Sequence, residues 1–332
     1  MGIGNKMKTK ILKLLRNSDK YISGQSICDE LGISRTAVWK YMNQLKEDGY
    51  EIEAAQNKGY NITKYPDVLT EVELGSLFEN EFFGKKTYFL SEIDSTNNEA
   101  KKKAEDGAIQ GTLVITECQN SGRGRRGKKW MSPSGSGIWM SFVLRPTIHP
   151  YGASMITLVA ALSVVSALKN IKNLECSIKW PNDIVANGKK ICGILTEMSS
   201  ELDAVNYVIV GIGINVNNTN FDETIKDIAS SIFLETGLTI KRSKVVADFA
   251  SCFEKYYSRF LQTQDMSGLL DEYNGLLINA GREVKINNIN NQFIGNAIGI
   301  NEKGELLVKK QDGNVEKIMA GEVSVRGLYG YV

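Results

Sequence analysis

The stretch Gln119-Asn120-Ser121-Gly122-Arg123-Gly124-Arg125-Arg126-Gly127-Lys128-Lys129-Trp130 decides how this chain is read. Gly122-x-Gly124-x-x-Gly127 matches the dinucleotide fingerprint G-x-G-x-x-G. That motif needs a strand before it, an amphipathic helix opening inside it and an acidic residue about twenty positions on. Leu113-Val114-Ile115-Thr116 supplies the strand, but Lys128 to Gly135 reads as loop and Ile138 to Leu144 as a second strand. Without the helix the dinucleotide fold is excluded, and without Gly-Lys-Ser/Thr so is a P-loop. What remains is a connection between strands. Its glycines let the backbone approach a ligand, and its arginines present charged forks to phosphate or carboxylate oxygens. Two readings stand at this point: a clamp over an anion, or a solvated basic turn on a hairpin.

Around the loop, strands are expected at Lys86 to Leu90, Thr112 to Thr116, Ile138 to Leu144, Ser177 to Trp180, Ile191 to Met198 and Tyr207 to Asn215. Helices are expected at Glu71 to Glu79, Asn97 to Asp106, Tyr151 to Asn170 and Ser243 to Gln262. Several strands adjoin with no helix between them, which predicts a mixed or antiparallel sheet. The longest apolar run, Ser154 to Leu168, contains serines and is short for a membrane span, so it is read as a buried helix.

Residues 1 to 65 have a different pattern. Ile11, Leu12, Leu14 and Leu15 recur at helical spacing, Ser23 caps a second helix through Leu31, and Gly32-Ile33 turns the chain. Ser34 then caps a third helix whose Val38, Tyr41, Met42 and Leu45 face inward, and Glu51 to Thr63 forms a hairpin wing. The apolar spacing alone fits any three-helix unit. The glycine turn, the Ser-Arg-Thr opening and the basic wing tip favour a DNA-binding helix-turn-helix. Within Gly24 to Asn43, Ser34, Arg35 and Thr36 suit base edges or phosphates, and Lys40 and the wing's Lys58 suit phosphates. From Gly281 to Val332, short apolar runs alternate with Lys303-Gly304 and Asp312-Gly313, which predicts a small barrel.

Composition narrows the chemistry. The 332 residues suit two or three domains, and a net charge of +2 confines any nucleic-acid contact to a local patch. The five cysteines are scattered and never spaced C-x-x-C, which argues against disulfides and zinc and for a reducing cytoplasm. Ile11 to Arg16 is broken by charge, so no cleavable signal is read. The single histidine, His149, leaves histidine triads and histidine-rich metal sites without material. Catalysis should rest on positioning and electrostatics.

Three further groups join the loop. Ser95-Thr96-Asn97 opens a helix, either as a cap or as three polar groups facing a small ligand head. Lys179-Trp180-Pro181-Asn182-Asp183 suits phosphate and a metal-bound phosphate, and after an Asn187-Gly188 turn comes Lys190, an edge lysine or a ligand contact. Gly211-Ile212-Gly213-Ile214-Asn215 permits close backbone approach and ends in a polar amide.

Taken in order, Ser95-Thr-Asn97, Gly122-Arg-Gly-Arg-Arg-Gly127, Lys179-Trp-Pro-Asn-Asp183, Lys190-x-x-Gly193 and Gly211-x-Gly-x-Asn215 resemble the biotin–protein ligases. With the N-terminal segment, the chain resembles their bifunctional class, which also represses biotin genes. The resemblance covers essentially the whole chain. It implies an α/β (α+β) multidomain protein: a winged helix-turn-helix (1–65), a mixed-sheet, class II synthetase-like catalytic domain (66–278) and an SH3-like β-barrel (279–332). It implies that biotin and MgATP yield biotinyl-5′-AMP, whose biotinyl group passes to a lysine of the biotin carboxyl carrier protein of acetyl-CoA carboxylase.

Carried over by position, the implied biotin contacts are Ser95, Thr96, Asn97, Gln119, Arg123, Gly124, Arg125, Lys190 and Gly193. Those for ATP or adenylate are Arg123, Arg125, Arg126, Trp130 as a cover, Lys179, Asn182, Asn215 and Arg326. Arg123, Arg125 and Lys190 are the implied catalytic residues, and Asp183 the implied Mg²⁺ ligand. The resemblance further implies a loop ordered by adenylate, a homodimer formed on adenylate binding and an operator-DNA partner, with no membrane. A lipoate–protein ligase would have less use for the polar triplet, and a non-enzymatic sensing repressor less use for Arg123, Arg125 and Lys190 together.

Overall fold

The computed structural model describes residues 3–287, 292–320, 324–327 and 331–332, with residues 3 and 324–327 described by main chain alone. The chain divides into two compact units, Met1–Glu79 with Lys241–Ala247, and Asn80–Ile240 with Asp248–Val332.

In the first unit, α1 (Ile3–Arg16), α2 (Gly24–Leu31) and α3 (Arg35–Glu47) precede a hairpin of β1 (Glu51–Ala55) and β2 (Gly59–Lys64), followed by α4 (Glu71–Leu77). Local chemistry sets these boundaries. Ser23 and Ser34 accept from the amides of Ser26 and Ala37, and Gly32 ends α2 at φ 66°, where a side chain would be strained. Ile11, Leu12, Leu15, Ile27, Val38, Met42 and Leu45 form the core with Ile52 and Ile62 of the wing, and Tyr41 packs half-buried against it. Beside this core Glu73 is 1% exposed. It accepts from Arg16 Nη2 at 2.8 Å, Tyr50 OH at 2.6 Å and Ser243 Oγ at 2.9 Å, so the buried carboxylate is fully partnered.

The second unit is built on a seven-stranded sheet. Its strands are β3 (Thr87–Ile93), β4 (Leu113–Gln119), β5 (Gly137–Leu144), β6 (Cys176–Lys179), β7 (Asp183–Ala186), β8 (Lys189–Ser200) and β9 (Val205–Asn215). They lie in the order β3-β4-β5-β9-β8-β7-β6. Only β3 and β4 pair in parallel; every other neighbouring pair is antiparallel, as the adjoining strands predict. Helix α5 (Thr96–Glu105) lays Ala100 and Ala104 against Val114, Val143 and Ile209.

The expected helix from Tyr151 to Asn170 divides at Ser154-Met155 into α6 (Pro150–Ala153) and α7 (Ile156–Leu168). Pro150–Leu168 is long and apolar enough to cross a membrane, but 78% of its window is buried inside the fold. A helix apolar on every side and surrounded by protein is a core helix. The connection after β9 contains α8 (Ile232–Thr236), residues of α9 (Arg242–Thr263) belong to both units, and α10 (Leu270–Leu276) follows. Phe142 packs edge-on at 4.9 Å from Phe83 and 4.8 Å from Phe253, an aromatic centre beneath the sheet.

The tail forms β10 (Glu283–Asn287), β11 (Gln292–Ile300), β12 (Leu306–Lys309), β13 (Val315–Ile318) and β14 (Ser324–Gly327). Where a small barrel is expected, the described residues form a five-stranded antiparallel sheet, β13-β12-β11-β10-β14.

Candidate active site

β4 and β5 are antiparallel neighbours, so the Gly/Arg run between them is a hairpin connection. It is pinned along its length: Gln119 bridges Ser132, Arg123 bridges Lys129, and the Trp130 amide donates to Gly122 O at 2.8 Å. The only helical turn is 3-10, Arg125–Gly127, in which Arg126 takes a left-handed φ of 58°. The run is therefore a hairpin connection by topology whose Arg123, Gly124 and Arg125 line a cavity.

That first cavity, about 50 Å³, is also lined by Ser95, Thr96, Asn97, Gln119, Trp130, Lys190 and Gly193, with Met140, Ile194, Leu195 and Ile212 as its apolar surface. Ser95 stands at the start of α5 without a side-chain capping bond. The Thr96 amide and Oγ1 donate to Gln119 Oε1 at 2.9 and 3.1 Å, and Gln119 Nε2 donates to Ser132 Oγ at 2.8 Å. Asn97 Nδ2 donates to Glu197 Oε2 at 2.6 Å and to Leu195 O at 3.3 Å. Ser141 Oγ reaches Asn97 Oδ1 at 2.6 Å and Thr96 Oγ1 at 2.7 Å; with one proton, it serves one of them at a time. Gly211 makes this possible, because a Cβ there would overlap the Asn97 amide. Buried, interlocked polar groups of this kind present a fixed pattern to a small ligand.

A second cavity of about 690 Å³ adjoins it, and the two share Gly124, Arg125, Trp130, Asn182 and Lys190. Arg126, Lys128, Lys129, Lys179, Asp183 and Asn215 line the larger one, with Phe221, Ile225, Ile228 and Ala229 as its apolar side. Trp130, expected as a cover, is a wall common to both. Its indole occupies space that Gly193 and Gly213 leave open, packs edge-on to Trp139 at 6.4 Å and lies 5.1 Å from Lys190 Nζ.

The cations are held in place. Lys190 Nζ lies 2.6 Å from Asp183 Oδ1. Arg125 donates to Asn182 Oδ1 at 3.0 Å and to Ala320 O. Burial pushes the Arg125 pKa down while Asp183 raises it and Arg126 lowers it; a guanidinium stays charged throughout. Arg123 turns toward Asn98 Oδ1 and lies 3.7 Å from Glu197. Asn215, expected at the nucleotide, donates to Ser230 O at 2.9 Å and so anchors the connection that carries Phe221 to Ala229. The Arg326 side chain lies outside the described residues; its main chain pairs with Lys285.

Both carboxylate oxygens of Asp183, the implied Mg²⁺ ligand, have protein partners in this arrangement. Its Oδ1 meets Lys190 and its Oδ2 accepts from Tyr331 OH. No group of three His, Cys, Asp or Glu that could hold a metal occurs among the described residues. Cys192 beside Lys190 is fully buried, and burial pushes its thiol pKa up, so it is no thiolate nucleophile.

Glu197, Ser132 and Ala320 bond to lining residues, and Phe221, Ile225, Ile228, Ala229 and Tyr331 line the larger cavity, all without a local signal in the sequence. Ser141 has one, a lone hydroxyl on a strand buried along its whole length.

On α3, Arg35, Thr36 and Lys40 are exposed, as is Lys58 at the wing tip. Ser34 Oγ is used as the helix cap, and Arg35 donates to Gln25 Oε1 at 2.8 Å. Between them Trp39 is 61% exposed, an indole facing outward on the same helix face.

Residues 89–215 match the biotin/lipoate A/B protein ligase family, residues 8–61 an HTH domain and residues 280–326 the biotin protein ligase C-terminal domain. The chain is 40% identical over 308 residues to the bifunctional ligase/repressor BirA of Bacillus spizizenii, covering 92% of this chain and 94% of that one. It is 28% identical over 323 residues to the protein of that name from Escherichia coli, covering 97% and 98%. The structure matches the biotin protein ligase from Aquifex aeolicus in complex with biotin and ATP, with a TM-score of 0.64 and 32% identity over 73% of this chain and 99% of that chain. With 40% identity over 92% of the chain, and with family models matching residues 8–61, 89–215 and 280–326, the chain belongs to the family of bifunctional biotin ligase/repressors.

Proposed function

We propose that the chain condenses biotin with MgATP to biotinyl-5′-AMP and transfers the biotinyl group to a lysine of the biotin carboxyl carrier protein, and that its helix-turn-helix represses transcription when the adenylate is bound. The observation that carries this reading is the junction of the two cavities at Trp130 and Lys190. One side presents neutral polar groups, Thr96, Asn97 and Gln119, suited to a ureido head. The other is larger and basic, suited to a nucleotide. The ligase and repressor names of the Bacillus relative and the biotin and ATP in the Aquifex complex support it.

A carboxylate and a triphosphate repel each other. Arg125 and Lys190 line both cavities and Arg123 lines the first, so positive charge gathers where the two anions must meet. A carboxylate oxygen attacks the α-phosphorus and pyrophosphate leaves. The carrier's lysine amine then attacks the acyl carbon and AMP leaves, so no enzyme nucleophile is required. Mg²⁺ enters with ATP as part of the substrate, which suits an ion that keeps its waters and binds mainly phosphate oxygens.

On this reading the Arg123–Gly127 hairpin keeps water from the mixed anhydride. Adenylate-bound chains pair, so that two α3 helices reach a palindromic operator, and carrier protein reverses repression by consuming the adenylate. The work divides among residues 1–65, 66–278 and 279–332 and takes place in the cytoplasm. Pyrophosphate exchange tests the ligase half. Exchange with biotin and not lipoate, lost in Lys190→Ala, is expected. Exchange with lipoate alone makes it a lipoate ligase, and exchange with neither acid leaves a sensing repressor.

A further inference from the structure

We infer that Tyr331 is a positioning residue for the adenylation step, setting Lys179 and Asp183 at the phosphate end of the nucleotide cavity; this rests on the ligase reading above. Lys179 ends β6 and is 5% exposed. Its Nζ lies 3.3 Å from the centroid of the Tyr331 ring. The face of an aromatic ring attracts an ammonium, so the lysine is held in place.

The same side chain acts at its other end. Tyr331 OH donates to Asp183 Oδ2, while Asp183 Oδ1 holds Lys190 at 2.6 Å. The β6–β7 register sets Lys179 opposite Asp183, and Tyr331 reaches Asp183 from 148 positions away in the chain. Lys179, Tyr331, Asp183 and Lys190 thus form one connected row on the wall of the larger cavity. Two cations are spaced by one ring and one carboxylate. Triphosphate binding needs both in position, whereas the polar groups that would hold biotin lie in the other cavity.

The test is biotin-dependent pyrophosphate exchange by the full chain, with MgATP varied at saturating biotin and then biotin varied at saturating MgATP. Tyr331→Ala is expected to raise the KM for MgATP about tenfold, while the KM for biotin stays within about twofold. Tyr331→Phe keeps the ring and loses only the hydroxyl, and is expected to hold the MgATP KM within about threefold of the unsubstituted chain. Thermal unfolding checks each variant, and Tyr331→Leu replaces the alanine variant if that one unfolds. An unchanged or lowered MgATP KM overturns the inference. So does an equal rise in both KM values, the mark of a purely structural role, or a phenylalanine variant no better than alanine. Failure of the unsubstituted chain to exchange overturns the ligase reading itself, and this inference with it.

Discussion

Lys190 Nζ lies 2.6 Å from Asp183 Oδ1, because β7 and β8 pair antiparallel and a bulge between Ile184 and Val185 shifts their register. A phosphoryl or carboxylate oxygen that takes this ammonium does so in competition with Asp183. Removing a charge aimed at the developing oxyanion costs about 10²–10³-fold in turnover. Lys190→Ala should therefore reduce pyrophosphate exchange by that amount, and a variant within about tenfold of the original would remove Lys190 from the mechanism.

Gly211 and Asn97 make a second pairing that can be tested. A Cβ at position 211 overlaps the Asn97 amide, so Gly211→Ala must displace the side chain on which the proposed biotin site depends. Overpacking of this kind costs about 1–3 kcal/mol. We expect at least a tenfold rise, roughly, in the KM for biotin, with the KM for MgATP little changed. Biotin titration by calorimetry provides the check, and unaltered affinity counts against the assignment.

Glu197 holds Asn97 from the far side and faces Arg123. Glu197→Ala leaves the Asn97 amide its bond to Leu195 O, so the effect should be smaller, about three- to tenfold on the biotin KM. No change would mean that Leu195 O and Ser141 Oγ orient the amide without it.

Trp39 stands among Arg35, Thr36 and Lys40 on the exposed face of α3. Trp39→Ala should weaken operator binding by about tenfold in a gel-shift titration while leaving biotinylation intact. Lys40→Ala and Lys58→Ala should each reduce the salt dependence of binding by about one unit of log–log slope. Unchanged DNA affinity in all three variants would move the DNA-reading face elsewhere.

The pKa values of Tyr50, Tyr257 and Tyr273 are raised, in each case chiefly by burial. The unfolded chain loses these protons near pH 10 and the folded chain retains them, so the tyrosines' contribution to stability is complete below pH 10 and falls above it. Each tyrosine contributes a slope of roughly 1.4 kcal/mol per pH unit. Cys176, pushed up to about 12 by burial, and Cys192 add to the decline from about pH 9. Urea midpoints between pH 8 and pH 11 should show it; a flat profile would not fit this burial.

Much of the fold is legible where neighbours in sequence determine it. Ser23, Gly32 and Ser34 place the first unit's helices within a few residues, because caps and turns are satisfied by atoms three or four positions away. The run after Gly122 excludes a dinucleotide helix for the same reason. β7 carries no signal of its own, since four residues show no period and its pairing comes from β6 and β8. The division of α6 from α7 was equally hidden in a run apolar on both sides of the break.

By itself, then, the sequence determined most of the elements and the helix-turn-helix, which follow from side-chain chemistry and short-range hydrogen bonding. Through the resemblance that its motifs carry, it also named the candidate site residues Ser95 to Asn97, Gln119, Arg123, Arg125 and Lys190. Only the tertiary structure decided that Trp130 is a shared wall, that Asn215 anchors a connection, and that Glu197 and Tyr331 belong to the site. Those facts depend on strand register and on contacts between residues up to 148 positions apart, which no local pattern encodes.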